Sequence, residues 1–239
     1  PQTVQLSRRL QWTDFVIADF SGDGRADMAA RTVTPFGQAS TWWVSIPRVN
    51  NSIVSQRWGS WEWSNWKDVQ AADFNGDGRM DLVGRIPTNG TWRVSESTGS
   101  QFLNENIGNW VSDGAAGWQD ITIGDFNGDE RDDIMGRARN GNWFWIYNDG
   151  TQVNFERAPV ARWLPTDEYE TIFAGNVGLF DRNFQLIGRS ERTGRWRIDS
   201  YDSLTTRFLT SADPAESPRW TTDVDWMFES LGDTDSLLF

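Results

Sequence analysis

One acidic phrase of nine residues, Asp-Phe-[Ser/Asn]-Gly-Asp-[Gly/Glu]-Arg-x-Asp, is written three times in this chain: Asp19 to Asp27, Asp73 to Asp81 and Asp125 to Asp133. The copies start 54 and 52 residues apart. A fixed period of that size marks a repeat architecture, in which each unit buries its apolar face against its neighbour. Any fold proposed for these 239 residues must therefore place the phrase at the same point of each unit.

The phrase sits inside a longer repeat. An aromatic residue and a strand-like run precede it: Trp12 to Ala18, Trp66 to Ala72, Trp118 to Gly124 and, more loosely, Tyr169 to Gly175. A second run ends in Arg31, Arg85, Arg137 and Arg189. Asn89-Gly90, Asn140-Gly141 and Thr193-Gly194 then mark turns, and Asn-Gly between strand-like runs is a strong hairpin signal. Third runs open at Trp42, Trp92, Trp143 and Trp196, and fourth, less regular runs lead to Trp58, Trp110, Trp163 and Trp220. No helical period is present. Four short antiparallel strands per unit of about 50 residues is the pattern of a β-propeller blade. Without His there can be no Gly-His, and Trp-Asp and Gly-Gly dipeptides are also missing, so the WD40 and kelch types do not fit.

The expected fold is all-β, a propeller of four-stranded antiparallel blades in a single domain over residues 1–239. Its units run over about 12–65, 66–117, 118–168 and 169–225. A partial unit over 226–239 would pair with an N-terminal strand over 3–9 to give a composite fifth blade that closes the ring. That blade lacks its third strand, which keeps an incomplete or excised propeller open as the alternative. Pro1 and the lack of a visible signal peptide point to a processed or excised chain.

The phrase spaces oxygen donors as a peptide does when it wraps a hard cation. Asp73, Asn75, Asp77 and Asp81 offer side-chain oxygens, and the Arg79 carbonyl falls at the seventh position. The other sets are Asp19, Ser21, Asp23, Arg25 and Asp27, and Asp125, Asn127, Asp129, Arg131 and Asp133. Carboxylate and amide oxygens suit Ca²⁺ better than zinc or copper. The twelfth position holds Ala30, Gly84 or Gly136 rather than Glu, so the loop is not an EF-hand. About three structural Ca²⁺ are expected, one per loop. Glu130 stands where the other copies have Gly and puts the third loop's geometry in question. The fourth unit has lost the pattern, keeping only Asn176, Asp181 and Asn183 out of register.

Composition narrows the function. The chain has no His, which excludes Ser-His-Asp chemistry and His-ligated zinc. With no Cys, disulfides and thiolate metal sites are excluded too. The net charge of −12 argues against a general nucleic-acid-binding surface, and three Ca²⁺ would bring it to −6. No run of 18 apolar residues is present to span a membrane. The 16 Trp pack blade against blade in the ordinary reading, while a subset in the inter-blade connections could form a binding platform.

These residues resemble the FG-GAP/VCBS repeat family known from integrin α-subunit propellers. The Asp-x-[Asn/Ser]-x-Asp-Gly-x-x-Asp loop and the small residue before it (Ala18, Ala72, Gly124) carry the resemblance. It implies a calcium-binding propeller, extracellular or secreted, without choosing a ligand. The reading made from it is a non-enzymatic, lectin-like carbohydrate-binding module. The alternatives are a protein-adhesion propeller or a non-catalytic accessory module of a secreted enzyme. Partners are thus a glycan or a cell-surface protein. Candidate ligand residues are Trp58, Trp61, Trp63, Trp110, Trp163, Arg85 and Arg137, with the Arg series more readily read as structural, stacking on neighbouring Trp. The longer turn from Val33 to Thr41 also departs from the repeat.

Overall fold

The computed structural model describes residues 10–33, 39–62, 65–110, 117–165, 168–177, 183–205 and 207–212. The expected closing blade, Trp63, Trp220 and most of the Val33 to Thr41 turn lie outside them. All regular elements among the described residues are strands, and they form four antiparallel sheets built as propeller blades. No helix among them is long and apolar enough to cross a membrane.

The chain divides into two compact units, residues 1–111 and 112–239. The first holds two sheets. One is β1 (Gln11–Ala18), β2 (Asp27–Val33), β3 (Ala39–Pro47) and β4 (Ile53–Glu62), paired in sequence order. The other is β5 (Lys67–Ala72), β6 (Asp81–Ile86), β7 (Thr91–Ser97) and β8 (Phe102–Asn109), paired the same way. In the second unit, β9 (Trp118–Gly124), β10 (Asp133–Ala138) and β11 (Asn142–Asn148) are followed by a broken outer strand, β12 (Val153–Phe155) and β13 (Ala161–Arg162). The last sheet is β14 (Tyr169–Gly175), β15 (Gln185–Ser190), β16 (Trp196–Asp202) and β17 (Arg207–Ala212).

Local sequence explains these elements. Each second strand is buried along nearly its whole length, so after its opening Asp or Gln it reads as a largely apolar run interrupted by a small residue and its Arg. The hairpins fall where Asn-Gly predicts them. Gly90 and Gly141 adopt φ of 72° and 84°, and their amides donate to Ile86 and Ala138 carbonyls at 2.9 Å.

Trp side chains join the sheets within each unit. Trp61, at the end of β4, lies over Gly84 of β6, and its Nε1 donates to Ser95 Oγ on β7 at 2.6 Å. Trp163, just past β13, lies over Gly188 of β15, and its Nε1 donates to Asp199 Oδ2 on β16 at 2.7 Å. Trp61 is therefore the counterpart of Trp163. This corrects the sequence alignment, which gave Trp58 that place. The reason is the length of β4: ten residues with a register shift opposite Trp42 and Trp43, which keeps Trp58 inside the strand.

Candidate functional site

Each acidic phrase forms the loop between the first and second strands of a sheet, as the repeat predicts. Within each, the first Asp organises the backbone. Asp19 Oδ1 accepts from the Gly22 amide at 2.7 Å, and its Oδ2 accepts from Gly24 at 2.7 Å. Asp73 holds Gly76 and Gly78, both at 2.9 Å. Asp125 holds Gly128 at 2.7 Å and Glu130 at 2.9 Å. Glu130 adopts φ 65°, close to the 79° and 82° of Gly24 and Gly78, so the third loop keeps the shape of the others.

The third and fifth positions lie at the loop rim. Asn75 and Asn127 Oδ1 accept from the Asp77 and Asp129 amides at 3.0 and 2.9 Å, and Ser21 Oγ donates to Asp19 at 3.4 Å. The seventh-position Arg folds back on the fifth-position Asp, with Arg25 on Asp23 at 2.5 Å and Arg79 on Asp77. Arg131 reaches Asp129 more loosely, at 3.9 Å. Loops on adjacent sheets of one unit are also tied: the Met80 amide donates to the Asp19 carbonyl at 2.9 Å, and Phe184 to Asp125 at 2.7 Å.

The ninth position opens the second strand and is closed off from solvent. Asp27, Asp81 and Asp133 are at most 1% exposed. Burial pushes all three carboxyls up, Asp81 to about 8, with neighbouring loop carboxylates adding to the effect. Burial also raises Asp73 and Asp125, against the pull of the amides they accept from. Asp81 has both oxygens met, by Phe74 N at 3.2 Å and Ser97 N at 2.7 Å. Asp27 Oδ2 accepts from Ser21 N at 2.8 Å, and Asp133 Oδ2 from Phe126 N at 3.2 Å. Their Oδ1 atoms are buried with no hydrogen-bond donor. For Asp27 the cause is visible in the sequence: the strand register puts Pro47 where Ser97 stands, and proline has no N–H.

The fourth sheet supplies the contrast. By register, Gln185 occupies the ninth position: Ala18 faces Asp27, Ala72 Asp81, Gly124 Asp133, and Gly175 faces Gln185. This neutral amide is 2% exposed and satisfies itself locally, accepting from Val177 N at 2.8 Å and donating to the Asn183 carbonyl at 2.6 Å. Where the loop loses its acids, the buried carboxyl disappears as well.

Among the described residues, no three His, Cys, Asp or Glu side chains converge into a cluster able to hold a metal by themselves. A cation in these loops would need the third-position oxygen and the seventh carbonyl alongside the carboxylates. The donors fit a hard cation: Oδ1 of the first Asp is taken up by two amides, but its Oδ2 accepts from one and keeps a second lone pair. The orphaned Oδ1 atoms of Asp27 and Asp133 are buried acceptors with nothing to receive.

The Arg series is structural. Arg31, Arg85 and Arg137 donate through Nε to Asp14, Asp68 and Asp120 at 2.6, 2.5 and 2.6 Å. An irregularity in the first strand of each sheet accompanies these acids, and Asp14 and Asp68 sit at φ 46° and 52°. Arg137 also donates to the Tyr169 carbonyl at 3.1 Å. Stacking is present for Arg31, whose guanidinium lies 6.0 Å from the Trp42 ring and 5.8 Å from Trp61. Sequence reading missed the acid partners because they lie one strand away at a spacing of 17 residues, which is not a local motif.

The expected Trp platform needs correction. Trp58, Trp61, Trp110 and Trp163 are 3%, 0%, 7% and 0% exposed and pack within the sheets' cores, so none offers an open ring face. Arg85 and Arg137 are likewise committed to their acid partners. The aromatic lining of a cavity is found elsewhere, in the second unit, around Trp145, Tyr147 and Tyr201.

Residues 73–136 match the family model described as FG-GAP-like repeat. The matched stretch opens on the first Asp of the second loop and takes in the whole of the third. A search of curated proteins gave no match.

Proposed function

We propose that this chain is a calcium-stabilised, non-catalytic binding module that acts outside the cell and recognises carbohydrate. A binding module built from propeller blades is the level at which the FG-GAP-like repeat and the four sheets agree. The calcium reading rests on one observation: the ninth position is a buried Asp in the three loops that keep the acidic phrase and a self-satisfied Gln185 in the sheet that has lost it. Asp19, Ser21, Asp23, Asp27 and the Arg25 carbonyl would hold one ion, with the matching residues of the second and third loops holding two more. Each ion would neutralise carboxylates that burial and mutual repulsion now penalise, and binding free energy would become folding free energy. Arg25 and Arg79 would give up Asp23 and Asp77, pairs at the rim that cost little to break. Extracellular modules of this kind work with Kd of about 10⁻⁴–10⁻³ M, matched to calcium outside the cell.

The carbohydrate reading is supported by the aromatic-lined cavity of the second unit, since sugar rings pair apolar C–H faces with hydroxyls that need hydrogen bonds. A glycan array probed with the wild-type chain in calcium buffer tests it. Binding to one or more saccharides is expected. No glycan bound, with protein partners captured instead from a cell-surface fraction, would replace this reading with adhesion.

A further inference from the structure

The third sheet departs from the repeat in two places that meet. Its outer strand is broken: Glu156 N donates to Trp145 O at 2.8 Å and Val160 N to Trp143 O at 2.9 Å, and the three residues between them leave the ladder. Those residues are Arg157, Ala158 and Pro159, all exposed, and Pro159 cannot donate to a ladder. The outer strands of the other three sheets are single elements. The third strand differs too. Register places Trp145 where the other sheets have Val44, Val94 and Ile198. Tyr147, two residues on, shares its face.

Together these departures open a cavity of about 380 Å³ between the two sheets of the second unit. Tyr147 and Tyr201, both half-buried, form its aromatic side, and Trp145 packs against them, with ring centroids 4.6 Å apart for Trp145–Tyr147 and 4.9 Å for Trp145–Tyr201. Glu156, Ala158 and Arg207 line it as well. Trp145 is 4% exposed, and its Nε1 is buried with no acceptor. Other core indoles share that lack, but among them only Trp145 lines the cavity. Glu156 lies near both phenols, where its charge adds to the burial that raises Tyr147 and Tyr201.

We infer that this cavity is the carbohydrate site, and that it takes a short neutral saccharide. This rests on the carbohydrate reading above and deepens it. The volume lies at the low end of small-molecule sites, roughly 300–1,000 Å³, which suits one or two sugar rings rather than a long chain. The Glu156 carboxylate supplies an acceptor for hydroxyls, and the tyrosines supply both a ring surface and hydroxyls that donate and accept. An acidic sugar would meet Glu156 inside the cavity and a chain that stays acidic even with three Ca²⁺ bound, at −6 by the sum of −12 and +6. Arg207 balances Glu156 but leaves no net positive charge among the lining side chains.

The test is a fluorescence titration of the wild-type chain with glucose, galactose, mannose, N-acetylglucosamine, lactose and glucuronic acid. It is repeated on Glu156→Gln, Tyr147→Phe and Ala158→Trp. The first exchanges the carboxylate for a neutral amide, and the second removes a hydroxyl. The third fills the cavity from an exposed position, where folding is least disturbed. At least one neutral sugar should bind and quench fluorescence, with glucuronic acid weaker. Affinity should fall tenfold or more in Glu156→Gln and be lost in Ala158→Trp, with melting temperatures close to wild type. Neutral-sugar binding unchanged in all three variants would overturn the cavity as the site while leaving the carbohydrate reading intact. Tighter binding of glucuronic acid would overturn the neutral class. No sugar bound by the wild type, on the array or in solution, would overturn the carbohydrate reading itself.

Discussion

At the residue scale, the nine-residue loop divides its work by position. The first Asp spends its carboxylate on three or more backbone amides and sets the turn. The ninth Asp is carried into the sheet and becomes a buried carboxyl whose ionised form a cation would stabilise. The sixth residue is a purely conformational position. Glu130 holds φ 65° there, and a side-chain-bearing residue in that region costs about 1–2 kcal/mol relative to glycine. Glu130→Gly should therefore stabilise the chain by up to about 1 kcal/mol, after the entropy glycine adds to the unfolded chain. Denaturant unfolding in calcium buffer would show it as a higher midpoint with an unchanged slope, and a lower midpoint would mean that the Glu130 side chain makes a contact worth more than the strain.

At the element scale, each unit is held by an aromatic wedge that leaves one strand and lands on a glycine of the next sheet. An added Cβ at Gly84 would come within 2.9 Å of the Trp61 ring. Gly84→Ala should destabilise the chain by about 1–3 kcal/mol through overpacking, read as a fall in melting temperature. A neutral result would mean that Trp61 can shift without loss. This wedge also shows what the sequence reveals and what it hides. Strand order, hairpins and the loop positions are legible because they are written in local patterns: Asn-Gly turns, the buried second strand and the acidic phrase. The pairing of Arg31 with Asp14, and of Trp61 with Gly84 and Ser95, is not legible, since each joins residues on different strands. Trp58 misled for a related reason, because the extra length of β4 moves the wedge three residues along without leaving a mark in the spacing of aromatics. The cavity was hidden twice over. Trp145 and Tyr147 read as ordinary third-strand aromatics, and the break at Pro159 falls in the least regular run of the repeat.

At the scale of the whole molecule, architecture and activity are carried by different departures from one pattern. What the sheets share, from Arg–Asp pairs to Trp wedges, serves stability. What one sheet does alone, the Trp145 substitution and the broken outer strand, serves binding in the reading proposed here. The acidic balance of the chain follows from the first group: nine of its 34 acidic residues stand at loop ligand positions. The central claim is that three of the four described sheets carry a calcium ion and the fourth does not. Equilibrium dialysis of the metal-stripped chain against calcium tests it most directly. The account predicts about three ions per chain, with one lost in each of Asp27→Asn, Asp81→Asn and Asp133→Asn and none lost in Gln185→Ala. A chain that binds no calcium, or the same number after all three Asp substitutions, would contradict it.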